Sequence, residues 1–562
     1  MSSNHGAHGP LPVQQPRGPK YRPTDEVDFV VVGAGSAGGV VARELSMAGM
    51  RVVVLEQGPW RTERDFNHDE LQTIQESFLT NNWRDQPNTF RTTEKEKAVL
   101  QPALLYGKCV GGGSVHFTAN YWRFHEIDFI EASKRGTIAG TGFADWPITY
   151  ADLEPYYTKV EWDVGVSGAP GPFDPPRSKG FPVPPLPAKS SGILLERGAK
   201  KMGWTAFPAP TAILSRPYRG RVGCVQCSFC EGFGCEVGAK SSTLVTMIPE
   251  AMRTGRCEIR PNSYVRKVEI SPKGRVVGVK YYDAEKKEIF QRAKAVVLCA
   301  NGAETPRLLL MSKSVVFPDG LANSSGLVGK YLMYNGGGNA VGMFEHEINA
   351  WKGNVVTRIV HDTYEVDPKL GLIGGGGFDF RMDATPIRFA TQFEEMPNVP
   401  SWGVGFKKAL EHAMGRALLA FGHTTSLPLE SNNISLDPTT KDAWGLPALR
   451  VTFSEHPQDL KLYDYFAKKG KELLDAAGAQ KSMALPPYPP FGYHLLGTCR
   501  MGNDPKTSVV DKYHRTHDVK NLFLVDGSSF VTGGRGQPTM TIQALAFRAA
   551  EYMAKAAKRG DV

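Results

Sequence analysis

A chain of 562 residues is too long for one simple core, so two or more domains are expected. Its 41% apolar and 22% charged residues are those of a soluble globular protein. The net charge of +9 is modest at this size, and no Lys/Arg-rich run stands out. No apolar stretch approaches the ~20 residues of a membrane helix. A nucleic-acid platform and a transmembrane segment are therefore poor readings. Residues 1–26 are polar and Pro-rich and lack the apolar core or twin arginines of an export signal, so they read as a mobile tail.

The stretch Val27 to Glu56 organises the rest of the chain. An apolar strand, Val27 to Val32, runs into Gly33, Gly35 and Gly38 at G-x-G-x-x-G spacing. Val40, Val41 and Leu45 then share a helical face, and a second strand, Val52 to Leu55, ends at Glu56. Each part has a task in holding a dinucleotide. Gly33 permits the turn, Gly35 clears the pyrophosphate, and Gly38 lets the helix pack close. The helix N-terminus offers free N–H groups and positive dipole. Glu56 can accept hydrogen bonds from a ribose.

From Phe66 to Leu105 the chain reads as irregular. Gly111, Gly112 and Gly113 then form a triplet with no side chains in the way, followed by Ser114, His116 and Asn120. This is how a chain passes close to a flat polar cofactor, although a bland loop is the rival. Trp146 to Tyr157 reads as an aromatic-rich helix start, and 166–187 as a Pro/Gly surface excursion. Of eight cysteines, Cys224, Cys227, Cys230 and Cys235 lie within twelve residues at C-x2-C-x2-C-x4-C spacing. Four crowded thiols suit an iron–sulfur cluster or tetrahedral zinc better than disulfides, with free thiols the third reading.

Ser263 to Tyr282 reads as a hairpin turning at Pro272-Lys273-Gly274. Ala295 to Pro306 reads as a buried strand, a Gly turn and a helix capped by Thr305-Pro306. Residues 341 to about 490 read as a mainly antiparallel sheet, including Asn433–Pro438 and Leu446–Phe453, with a helix near Asp459 to Ala477. Asn521 to Asp526 is a strand, and Pro538 opens a helix with apolar Ile542, Leu545, Ala549 and Met553 on one face.

These blocks resemble the glucose–methanol–choline (GMC) oxidoreductases, which are FAD-dependent and oxidise alcohols. The matching residues are the Val27–Glu56 unit, Val110 to Asn120, Val296 to Gly302 with Thr305-Pro306, Tyr493 to Gly502, Asp526-Gly527 and Pro538 to Ile542. Within the family the chain is most similar to bacterial glucose, fructose and gluconate dehydrogenase catalytic subunits. The resemblance implies an α/β plus α+β chain: a Rossmann-like FAD-binding domain and a substrate domain built on an antiparallel sheet. The FAD domain would take 27–140, 240–340 and 495–562. Residues 141–239 would be a substrate-side insertion carrying the cysteines, and 341–494 the substrate domain. FAD contacts would come from Gly33, Gly35, Ser36, Gly38, Glu56, Gly111 to Ser114, His116, Asn120, Val265, Ala300, Asp526, Gly527, Pro538 and Thr539. Some relatives carry a histidyl–flavin bond, which His116 is placed to make; a non-covalent pocket residue is the preferred reading.

Alcohol oxidation needs a base for the O–H proton and an acceptor for the C–H hydride. The resemblance makes His494 that base. Where the family carries His or Asn as its second catalytic residue, this chain has Gln537, whose longer arm changes the reach. A second departure is Tyr334-Asn335 after Leu332-Met333, where the family has Asp-His-Pro. The resemblance also implies a 3Fe-4S or 4Fe-4S cluster at the cysteines, best matched by Cys224, Cys230 and Cys235. A cytochrome c as electron acceptor and a small accessory subunit would accompany it. With no signal of its own, the chain is expected to be cytoplasmic, or periplasmic by co-export with that subunit. An oxidase using O2 and a lyase on the same fold are the rival activities.

Overall fold

In the computed structural model, residues 21–382, 384–394, 399–487 and 492–562 are described. The tail reading of 1–20 lies outside them, as does the end of the 341–490 sheet from residue 488. Residues 21–25 are anchored to the first sheet, where a mobile segment is expected. The Tyr21 N–H donates to Glu258 (2.8 Å), and Gln291 donates to the Asp25 carbonyl (2.9 Å).

The first sheet is built on the strand Val27–Val32, whose continuous β-branched run suits burial on both faces. Val52–Leu55 and then Cys257–Arg260 lie parallel on one side. On the other side lies the long strand Glu288–Leu298, whose C-terminal half pairs in parallel with both Val27–Val32 and Leu522–Leu524. Its N-terminal half pairs antiparallel with Val276–Tyr282, which closes the expected hairpin with Tyr264–Ile270. The helix Ser36–Met47 covers this sheet and packs against Thr539–Arg559 and Met247–Arg253. A Cβ at Gly38 would stand 1.9 Å from the Gly33 carbonyl oxygen, so only glycine lets helix and turn approach this closely.

A second sheet of six strands is wholly antiparallel, in the order Lys481–Ala484, Gly337–Met343, Ala417–Thr424, Gly376–Arg381, Arg358–Val360, Ala206–Pro208. The helix Pro457–Ala477 lies on it, close to the expected span. Its last strand comes from the cysteine-bearing stretch. The segments near 433 and 447 do not join it. Asn433–Lys441 and Pro447–Thr452 form a separate four-stranded sheet with Asn88–Arg91 and Val99–Leu100. The supposedly irregular 66–105 stretch thus supplies two strands and the short helix Glu70–Gln75. Strands of two and four residues are too short to show a period, and their partners are distant in sequence.

The aromatic-rich helix starts at Tyr150, four residues after Trp146, behind a capping box of Thr149 and Asp152. The helix expected behind Thr305-Pro306 starts earlier, at Asn301. The Asn301 side chain accepts from the N–H groups of Ala303 (2.9 Å) and Glu304 (3.1 Å). Thr305 instead donates its hydroxyl to Asp526 (2.6 Å), tying this helix to the C-terminal strand.

Candidate active site

Two glycine loops meet at the C-terminal edge of the first sheet. A Cβ at Gly112 would lie 2.7 Å from the Gly35 Cα, so the loops touch backbone to backbone. The Ser114 hydroxyl pins this contact by donating to the Gly111 carbonyl (2.7 Å) and accepting from the Thr243 N–H (3.2 Å). Glu56 closes the first turn. Its two carboxylate oxygens accept from the N–H groups of Ala34 and Gly58, each at 2.9 Å, and burial pushes its pKa up to about 7. Each oxygen keeps a lone pair for a ribose hydroxyl.

Past the Gly111–Gly113 loop, the Asn120 side-chain N and O, His116 Nε2 and Trp122 Nε1 are buried without partners. Each such atom costs about 1–3 kcal/mol. Several in one loop, beside a cradle bare of side chains, fit a flat polar cofactor. His116 is held neutral, its pKa pushed down to about 4 by burial and then by the Lys240 charge.

From the C-terminal side, Asp526 accepts from Asn301 N–H (3.1 Å), Ser528 N–H (2.8 Å) and Thr305, and Gly527 opens a tight turn. Ala300 donates its N–H to the Thr305 hydroxyl (3.3 Å). Val265 is buried on the hairpin, opposite Tyr281. Pro538 caps the helix that Thr539 opens. The loop before it is anchored by Arg535, whose guanidinium donates to Asp128 and Glu131, both at 2.5 Å.

Gln537 follows that anchor. Its Nε2 lies 3.4 Å from His423 Nδ1, and His423 Nε2 lies 2.5 Å from Asp379 Oδ2. Burial and then coupling to His423 push the His494 pKa down to about 4, so His494 is neutral at neutral pH. His423 thus interacts with both residues expected from the sequence. It was not legible there, because an isolated Gly-His-Thr inside a strand carries no motif. The Asn335 side chain donates to the Gly536 carbonyl beside Gln537, which gives the Tyr334-Asn335 departure a positioning role. Trp122 packs edge-on against His423 (5.1 Å) and His361 (5.7 Å).

The cysteine loop touches this region. Gly232 donates to the His116 carbonyl (2.7 Å), and the buried Lys240 ammonium donates to the carbonyls of Phe117 (3.1 Å), Cys230 (2.5 Å) and Phe233 (2.8 Å). Cys224 and Cys235 sulfurs accept backbone N–H groups of Gln226 (3.4 Å) and Lys240 (3.5 Å). Burial raises the pKa of Cys224 and Cys227 and pushes that of Cys230 up to about 12. Among the described residues, no three His, Cys, Asp or Glu side chains are placed to hold a metal ion. The structure therefore does not show the iron–sulfur cluster expected at Cys224, Cys227, Cys230 and Cys235, and no electron path is routed through it. Cys224 and Cys235 thus face local backbone donors, and burial favours the protonated thiols of Cys224, Cys227 and Cys230.

Family models described as GMC oxidoreductase match residues 27–332 and 428–546. The chain belongs to the GMC oxidoreductase family. It is 35% identical to 2-methyl-1,2-propanediol dehydrogenase of Mycolicibacterium austroafricanum over 94% of this chain and 96% of that one. It is 30% identical to the fructose dehydrogenase large subunit of Gluconobacter japonicus, over 96% and 99%. Among solved structures, formate oxidase of Aspergillus oryzae RIB40 shares the fold with a TM-score of 0.65 at 16% identity, covering 96% of this chain and 100% of that one. As a GMC oxidoreductase the protein is an FAD-dependent enzyme acting on alcohol or sugar groups.

Proposed function

We propose that the protein is a dehydrogenase oxidising one hydroxyl of a polyol or sugar, with His494 as the base. The observation that carries this reading is the Gln537–His423–Asp379 chain, with His494 buried, neutral and within electrostatic reach of His423. Bound FAD supplies the hydride acceptor. The protein's own part is to seat the alcohol, take its O–H proton on a ring nitrogen of His494, and hold Gln537 against the substrate oxygens. Arg535 and Asn335 fix the loop that carries Gln537. Relatives that are dehydrogenases of a diol and of a sugar support the substrate class. A relative described as a large subunit supports an accessory subunit; an external electron acceptor, such as a cytochrome c, belongs to the dehydrogenase reading.

Anaerobic mixing of the FAD-loaded protein with polyols, sugars and simple alcohols tests this. Flavin bleaching by a polyol or sugar, followed by slow reoxidation in air and fast reoxidation by a one-electron dye, is expected. Turnover without bleaching would indicate a lyase, and rapid oxygen uptake an oxidase.

A further inference from the structure

Gln537 stands where the family resemblance leads one to expect His or Asn, and an amide presents two different faces. Which face meets the substrate is decided by residues on the substrate sheet. Asp379 and His423 lie diagonally on adjacent strands, since Gly377 is the residue opposite His423. Asp379 is fully buried and receives both Nε (2.7 Å) and Nη2 (2.5 Å) of Arg381. Against the upward push of burial, Arg381 and then His423 hold its pKa down at about 2. An ionised carboxylate only accepts, so the His423 Nε2 at 2.5 Å carries the proton.

His423 is itself buried, and burial lowers its pKa against the pull of Asp379. A neutral imidazole protonated on Nε2 has a bare Nδ1, which only accepts. The Gln537 nitrogen at 3.4 Å must then be the donor, as placed. The amide oxygen is then left free of His423. With the bare nitrogen of neutral His494, Gln537 Oε1 makes a second acceptor for substrate hydroxyls. A reacting hydroxyl has one proton and satisfies one of them. A substrate with a single hydroxyl leaves the other unpaired.

We propose that Asp379 and His423 are positioning residues that lock the Gln537 carbonyl towards the substrate, so that the enzyme selects vicinal diols over monohydric alcohols by accepting a hydrogen bond from the hydroxyl next to the reacting one. This rests on the alcohol-oxidation reading and names its substrate class. The relay transfers no proton: Asp379 stays ionised and His423 neutral. Its effect is to choose acceptor over donor at one point of the pocket.

The test is anaerobic stopped-flow reduction of the FAD-loaded protein by 1,2-propanediol and by 1-propanol. The ratio of their second-order reduction rate constants is compared among the wild type, Gln537→Met and Asp379→Asn. A neutral hydrogen bond at a half-buried site is worth roughly 3- to 10-fold. Wild type is expected to favour the diol by at least that factor, with the preference residing chiefly in apparent Kd. Gln537→Met should erase it. In Asp379→Asn the new amide can donate to His423 Nε2, which moves the proton to Nδ1 and turns the Gln537 N–H towards the substrate. The diol preference should vanish although Gln537 is present, and the double variant should lose nothing further.

Asp379→Asn removes the buried charge that faces Arg381 and can cost folding. Gln537→Met is free of that risk and decides alone. A wild-type ratio near one, or a ratio unchanged in Gln537→Met, overturns the inference. Absence of bleaching by every alcohol, sugar and polyol overturns the alcohol reading with it, whereas equal bleaching by diol and monohydric alcohol overturns this inference alone.

Discussion

Glu56 holds the first turn together. Its place after the second strand makes it the expected ribose acceptor, but its bonds to Ala34 and Gly58 show only in the fold. Glu56→Ala is therefore expected to lower FAD retention and also to destabilise the protein before any flavin binds. The stability loss should be roughly 1–3 kcal/mol, the cost of leaving the buried Ala34 and Gly58 N–H groups unpaired, read by urea unfolding of the flavin-free protein. His494→Ala should slow substrate-driven flavin reduction by about 10²-fold with FAD still bound, the usual size of a lost general base. Reduction near the wild-type rate would make His494 structural. Glu455 reports on pH. Burial and then the Asp459 charge push its pKa up to about 8, and burial pushes Asp459 up to about 7. A carboxyl raised above its unfolded value binds its proton more tightly when folded. Its stability contribution is present at acid pH and is lost as pH rises through about 8. Glu455→Gln should thus flatten the fall in Tm between pH 4.5 and about 8; an unchanged slope would refute the assignment.

Among elements, the helix Thr539–Arg559 matters most, because its N-terminus follows directly on Gln537. Its start was readable from Pro538 and its apolar spacing. The anchor that aims it was not, since Arg535 meets Asp128 and Glu131 from about 400 residues away in sequence. Arg535→Met would leave two buried carboxylates without their cation. A cost of about 3–5 kcal/mol is expected, with a fall in flavin reduction as the Gln537 loop loosens. Thermal melts and stopped-flow reduction check both. The helix Asn301–Met311 teaches the same point in reverse: the sequence signal at Thr305-Pro306 was real, but Thr305 serves Asp526 rather than the helix end.

At the scale of the whole molecule, each sheet is assembled from remote segments. Leu522–Leu524 pairs with Leu298 and its neighbours, and Thr539–Arg559 packs on Ser36–Met47. A chain cut after residue 520 should therefore fail to fold rather than lose a late accessory, as judged by soluble yield and a cooperative melt. A stable truncated protein would mean that the first sheet closes without its C-terminal strand. The first βαβ unit, the glycine loops, the terminal helix and hence the flavin family were determined by sequence alone, because each is local: a period, a turn residue or a fixed spacing within some thirty positions. The four-stranded sheet, the strand Ala206–Pro208 on the substrate sheet, the orientation of the four cysteines and the Asp379–His423–Gln537 chain were decided only by tertiary structure. Their members are single residues or short strands whose partners lie tens to hundreds of positions away, so no local pattern distinguishes them from any other buried polar group until the sheets are packed.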